Sequence, residues 1–391
     1  MSDIRVDIRN LYKIFGSRPE EVLPLLKSGE TKDSIHRKLD HVVALQDVSL
    51  SVPAGAVYMV MGLSGSGKST LARCINRLIE PTAGQILIDG EDVLAADESR
   101  LRDLRRTRIS MVFQHFALLP NKTVIENVEF GLKLRGLAPK PRRQTAEEVL
   151  DVVGLTSWIH HRPETLSGGM RQRVGLARAL ATGADILIMD EPFSALDPLI
   201  RSEMQDELLR LQQLLHKTIL FITHDFQEAL KLGTRIAIME AGRIVREGAP
   251  QEIVLEPGTD YVAAFVRDVD RSRVFDAASV MRPASALGPE ADLATALRTE
   301  ADPLFIVDRD RRVLGVVPAG VRAGTAASRM THDFTRVRST EKLHEIADEF
   351  QAHRAVAVVD DTGILVGSID PFEVLSRIAA PNRLSKPSAS G

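Results

Sequence analysis

Apolar residues along this chain fall mostly in short unbroken runs. Residues 4–8 are an exception: they alternate apolar with charged side chains, read as a strand, and lead into Leu11, Tyr12, Lys13, Ile14, Phe15 and Gly16. A polar, helix-biased stretch at about 17–41 reads as an insertion. A strand follows at 42–50, then a Pro53-Ala54-Gly55 turn and the apolar run 56–61. Further runs stand at 186–189, 219–223 and 236–239, and two apolar segments around Gly242 and Gly248 predict a closing hairpin. Runs this short and continuous suit strands buried on both faces, as in a parallel sheet covered by helices. Residues 123–157 carry a helical pattern broken at Pro139 and Pro141. The expectation is an α/β unit over residues 1–265, with a helical subdomain at about 115–180.

After about residue 268 the texture changes, and an internal repeat emerges with a period of about 52 residues. Residues 303–308 line up with 355–360, and 313–317 with 365–369. Each copy reads as strand, acidic turn, strand and a following helix, which predicts a small α+β domain over 270–380. Residues 381–391 are rich in Ser and Pro and are expected to be disordered.

A chain of 391 residues exceeds one ordinary domain. With 44% apolar and 26% charged residues it sits with soluble globular proteins and apart from disordered or fibrous ones. The 50 basic and 53 acidic side chains leave a formal net charge of −3, so no broad electrostatic footprint for nucleic acid is expected and no nucleic-acid partner. The lone cysteine, Cys74, excludes an internal disulfide framework and a multi-cysteine zinc site, and fits a reducing compartment. No run approaches the roughly 18 apolar residues of a spanning helix, and the first ten residues lack the apolar core of a secretory signal. A cytosolic location is expected.

The candidate chemistry is concentrated at Gly62, Leu63, Ser64, Gly65, Ser66, Gly67, Lys68 and Ser69, a full P-loop pattern, with Thr70 next. An apolar strand precedes it and a helical pattern at 69–79 follows, which is the context the motif needs. Glycines let successive backbone N–H groups turn inward onto phosphate oxygens, and the helix N-terminus adds partial positive charge. Lys68 is expected to reach the β- and γ-phosphates of ATP, and the Ser69 hydroxyl to ligate Mg²⁺. The run 186–189 ends in Asp190 and Glu191. Asp190 is expected to reach the Mg²⁺ through a water, and Glu191 to act as general base on the attacking water, a role typically worth about 10²–10⁴ in rate. The pair His160–His161 reads as a solvated turn.

Leu166-Ser167-Gly168-Gly169-Met170-Arg171-Gln172-Arg173 opens a helix about 20 residues before the acidic strand and offers a second anion site: a hydroxyl, two glycines and a helix N-terminus. This segment resembles the signature of ATP-binding-cassette (ABC) proteins. The resemblance implies that Ser167, Gly168 and Gly169 face a γ-phosphate bound by the other copy of a homodimer. It implies that Gln114 contacts Mg²⁺ and couples to a membrane subunit, and that Ser194-Ala195-Leu196-Asp197 crosses the dimer interface. His224 would be the switch histidine near the γ-phosphate. Phe15 would stack on adenine, with Tyr12 as the competing candidate.

Residues 59–70, 75–82 and 111–120, together with the insertion and its Glu20–Lys27 segment, resemble one subgroup: the ATP-binding subunits of glycine betaine/proline (quaternary amine) importers. In that subgroup the appended region is a tandem CBS module; the copies here are short and degenerate. The resemblance implies integral-membrane permease subunits and an external substrate-binding protein as partners. It places the chain peripherally at the cytoplasmic face of the cell membrane. The implied cargo is glycine betaine, proline betaine or choline; an importer of another polar solute such as an amino acid, or an ABC ATPase without transport, are the alternatives.

Overall fold

The computed structural model describes residues 3–114, 117–294, 303–318, 320–321, 323–350 and 354–379. Two compact units emerge, one of Met1–Ile253 with Gly258–Val262, the other of Val254–Pro257 with Ala263–Gly391. The expected disordered tail, 381–391, lies outside the described residues. Among the described residues no helix is long and apolar enough to cross a membrane.

The strands of the first unit are, in chain order, β1 (Ile4–Phe15), β2 (Val42–Pro53), β3 (Val57–Met61), β4 (Ala83–Ile88), β5 (Glu91–Asp92), β6 (Ile109–Val112), β7 (Ile186–Asp190), β8 (Thr218–Thr223), β9 (Arg235–Glu240) and β10 (Arg243–Gly248). They make an antiparallel sheet in the order β2-β1-β4-β5 and a six-stranded sheet in the order β10-β9-β3-β8-β7-β6. In the larger sheet β3 pairs in parallel with β8 and β9, and β7 with β6 and β8, while β9 and β10 form the antiparallel closing hairpin. Every residue of β3, β7 and β8 is buried, which is why their sequences are apolar without alternation. One hydrophobic cluster joins both sheets through the helix Lys68–Ile75, with Ile8, Val48, Val60, Ile188 and Leu220 among its members. Cys74 lies fully buried in that cluster, and burial pushes its thiol up to about 12, so it packs as a small hydrophobe.

Three local expectations change. The first strand runs on to Phe15, past the alternating stretch, because Asn10 takes a left-handed conformation (φ 46°) and the pairing with β2 shifts register around it. The helical stretch is interrupted just before Pro139, between the helices Val124–Leu134 and Pro139–Val152; Pro139 is the first residue of the second, where a missing N–H leaves nothing unpaired, and Pro141 lies in its first turn instead of breaking it. The helix after the glycine loop ends at Ile75, since Asn76 and the left-handed Arg77 (φ 54°) stop it short of the apolar pattern.

The insertion folds as two helices, Pro19–Lys27 and Lys32–Leu39, whose Val22, Leu26 and Ile35 make a small core with Ile14 and Val43. The Lys32 ammonium pins this core: Nζ donates to the carbonyls of Val43, at 3.1 Å, and of Ala241.

The second unit repeats one motif. β11 (Ser285–Leu287), β12 (Leu304–Val307) and β13 (Val313–Val317) form one three-stranded sheet; β14 (Phe334–Arg338), β15 (Ala355–Val359) and β16 (Leu365–Ile369) form another. In each, the first strand joins the second in parallel and the second joins the third antiparallel. The copies exchange edges. Arg282 and Ser368 trade backbone hydrogen bonds at 2.8 and 2.9 Å, and Thr331 and Val316 do so at 2.8 and 3.0 Å. These bridges border a cleft of about 410 Å³ that Arg282, Asp333, Arg354 and Asp370 also line.

Burial lowers Lys32 from its ordinary 10.5 to about 8, with Arg243 adding to the effect. Between those two values the unfolded chain binds the extra proton, so the contribution of Lys32 makes stability rise with pH across that window. The stability of wild type relative to Lys32→Met should therefore increase between pH 7.5 and pH 10; thermal unfolding of the two at both pH values checks this, and a constant difference would contradict it.

Candidate functional site

The glycine loop leaves the C-terminal end of β3, in the middle of the six-stranded sheet, and opens the helix Lys68–Ile75. Two of its glycines are dictated by their surroundings. A Cβ on Gly62 would lie 2.2 Å from the Met239 carbonyl oxygen, and one on Gly67 would lie 2.6 Å from that of Ala44. Gly67 also needs φ +100°, which side-chain-bearing residues rarely adopt. Leu63, Ser64 and Gly65 are exposed, Ser69 and Thr70 half-buried. Ser66 is buried, and among the described residues its Oγ has no hydrogen-bond partner.

Lys68 is 4% exposed and folds back on the loop, Nζ donating to Gly62 O at 2.8 Å and Leu63 O at 3.0 Å. Burial depresses its pKa, while the carboxylates of Glu191 and Asp190 work in the opposite direction. Ser69 Oγ donates to Asp190 Oδ1 at 2.8 Å, so the loop helix and the end of β7 meet at a hydroxyl and a buried carboxylate. An all-oxygen pair of this kind suits a hard divalent cation such as Mg²⁺.

Glu191 follows in a left-handed conformation, φ +47°, which a non-glycine residue holds only at a cost of about 1–3 kcal/mol. Its carboxylate lies 3.2 Å from His224 Nδ1. His224 comes directly off β8, and Asp225 behind it caps the helix Phe226–Leu232 with its carboxylate. Gln114 lies past the end of β6, and its Nε2 donates to Ser194 Oγ at 3.3 Å, which donates in turn to Glu191 O at 3.0 Å. Reading the sequence does not single out Ser194 as a link between these two; only its place in the Ser194–Asp197 segment marks it.

Phe15 ends β1, 42% exposed, with Lys13 Nζ 4.8 Å from its ring centroid. It pairs with Val42 at the end of β2 that leads to Ala44 beneath Gly67. Tyr12 is half-buried against the insertion core, and burial raises its hydroxyl pKa, with Asp47 adding to this. The exposed ring is the freer stacking surface.

The structure does not gather the signature residues onto the glycine loop of the same chain. Ser167 caps the helix Gly168–Ala181, accepting from Met170 N. Among the described residues outside their own helix, the atoms within 4 Å of the Cβ positions of Gly168 and Gly169 belong to Leu196 and Ile200. Asp197 caps the helix Pro198–Leu215, accepting from Ile200 N at 3.1 Å. Signature and Asp197 segment thus pack against each other through Leu196 and Ile200.

These features define a nucleoside triphosphatase cassette of the ABC class. The family described as ABC transporter matches residues 45–194, and the CBS domain family matches residues 326–380. The glycine betaine/proline betaine transport system ATP-binding protein ProV of Salmonella typhimurium is 44% identical over 96% of this chain and 98% of its own length. The trimethylamine N-oxide transport system ATP-binding protein TmoW of Ruegeria pomeroyi is 50% identical over 71% of this chain and 81% of its own. A solved dimeric ATP-binding cassette in a post-hydrolysis state, bound to ADP and Pi, superposes with a TM-score of 0.53 at 33% identity, covering 63% of this chain and 98% of that one. The chain therefore belongs to the ATP-binding subunits of ABC transport systems, in the branch that contains the glycine betaine/proline betaine subunits. It binds nucleotide and hydrolyses ATP.

Substitution Gly67→Ala meets both the left-handed backbone and the Ala44 carbonyl. It should weaken ATP binding by about tenfold or more, from the roughly 1–3 kcal/mol that such strain costs. Equilibrium titration with a fluorescent ATP analogue measures this, and wild-type affinity would contradict it.

Proposed function

We propose that this chain is the ATP-hydrolysing subunit of an importer of quaternary ammonium osmolytes: glycine betaine, proline betaine or choline. The observation that carries the chemistry is the meeting of three strand ends, β3, β7 and β8, at Ser69–Asp190 and Glu191–His224. The cargo rests on the relatives named above.

In this reading the backbone N–H groups of residues 64–70 cradle the triphosphate, and Phe15 stacks on the adenine. Lys68 leaves the carbonyls of Gly62 and Leu63 for the β- and γ-phosphates, whose charge keeps its ammonium protonated. Ser69 and Asp190, with Gln114, would hold Mg²⁺, which when bound neutralises charge on the β- and γ-phosphate oxygens. Glu191 accepts a proton from the attacking water as that oxygen bonds to the γ-phosphorus and the bond to ADP breaks. His224 holds the Glu191 carboxylate in place for that transfer. Ser167, Gly168 and Gly169 from a second copy complete the site over the γ-phosphate, so ATP closes a homodimer and hydrolysis opens it.

Closure is felt at Gln114, which Ser194 ties to the backbone of Glu191. The permease subunits dock there and on the helical segment. The chain itself therefore sits at the cytoplasmic face of the membrane, and the cargo reaches the permease from an external binding protein. The cargo never touches this subunit, so no aromatic cage for a quaternary ammonium is required in it. The repeated second unit serves as a regulatory module.

A deletion strain carrying wild type should take up labelled glycine betaine, and the same strain carrying Glu191→Gln should not, because the general base supplies about 10²–10⁴ in rate. Unlabelled choline and trimethylamine N-oxide added as competitors rank the cargo. Uptake equal in both strains, once parallel importers are deleted, would contradict the cargo assignment.

A further inference from the structure

The phosphate loop is held at its entrance by a residue far along the chain. Tyr261 stands in the helix Asp260–Val266. Its hydroxyl donates to the Met239 carbonyl at 3.2 Å and accepts from the Leu63 N–H at 3.1 Å. The Met239 carbonyl is the same one on which Gly62 rests so closely that no Cβ fits. One hydroxyl thus ties the second residue of the loop to the end of β9.

Other ties hold this loop too, among them the Ser66 N–H donating to Leu63 O at 3.2 Å. Gly242 N–H donates to Ser66 O at 2.9 Å, further along. At the entrance itself the Lys68 ammonium donates to the carbonyls of Gly62 and Leu63. The Lys68 tie is spent when the ammonium moves to a phosphate, so the entrance peptides lose it at the moment nucleotide arrives. The Tyr261 tie uses the Leu63 N–H, on the other side of that residue, and survives the move.

We infer that Tyr261 is a positioning residue of the ATPase site. It keeps the Gly62–Leu63 entrance fixed while Lys68 changes partners, so that ATP meets a cradle already formed. Ordering a loop on binding costs affinity, and a loop ordered beforehand avoids that cost. The helix that carries Tyr261 is also where the chain passes from one compact unit to the other, since Gly258–Val262 belong to the first and Ala263 onward to the second.

The inference rests on the ATPase reading above, and Tyr261→Phe tests it apart from that reading. The ring stays and only the hydroxyl goes. Leu63 is 57% exposed, so water satisfies its N–H in the variant and overall stability changes little. From the net worth of one hydrogen bond, the Kd for ATP and the KM should both rise roughly 3- to 10-fold, with kcat within about twofold. The nucleotide-free Tm of the full chain should stay at the wild-type value. An unchanged Kd would overturn the inference, and so would a loss of kcat accompanied by a fall in nucleotide-free Tm, which would mark a purely structural tyrosine. A wild-type chain without turnover would overturn the ATPase reading instead, and the Kd measured by titration would still decide the role of Tyr261.

Discussion

The structure depends on one steric constraint: a backbone loop must turn its N–H groups toward an anion while resting on two other backbones. Met239 O beneath Gly62 and Ala44 O beneath Gly67 leave no space for a side chain at either point. One of these carbonyls ends β9 and the other lies in β2, so the loop is clamped between the two sheets of the first unit. The continuous burial of β3, β7 and β8 serves this arrangement. Three parallel strands side by side bring the glycine loop, the Asp190–Glu191 pair and His224 out of the same edge of one sheet.

A second constraint sits at Glu191. Its left-handed backbone is held by Ser194 donating to its carbonyl and by the Glu191 N–H donating to Ile222 O at 3.0 Å. The conformation turns the carboxylate toward His224 rather than along the strand. Strain kept at such a position is maintained by its surroundings, and here the surroundings include Gln114 through Ser194. The segment that faces the transport machinery in the proposed function is therefore two hydrogen bonds from the residue that would activate water.

Much of this was legible in the sequence because it leaves local patterns. Fully buried strands read as unbroken apolar runs, the P-loop carries its glycines at fixed spacing, and the repeat around 303–317 and 355–369 is visible as two similar hairpins. The backbone exchange between the copies at Arg282–Ser368 and Thr331–Val316 has no such pattern. Nor do the polar ties of Lys32 to Ala241, Gln114 to Ser194 and Tyr261 to Leu63, since each joins residues 80 or more positions apart through one contact. Pro141 misleads for a different reason: a proline that breaks a helix and one in its first turn look alike until the helix start is known.

The proposed function holds that one chain carries two halves of an ATPase site, with the phosphate loop, Asp190, Glu191 and His224 in one half and Ser167 through Gly169 in the other, and that a second copy completes each. Sedimentation of the full chain bearing Glu191→Gln, with and without ATP, tests it most directly. The account predicts monomers without nucleotide and a dimer with ATP that Ser167→Arg abolishes while ATP binding persists. A chain that binds ATP fully and stays monomeric at every concentration would contradict it.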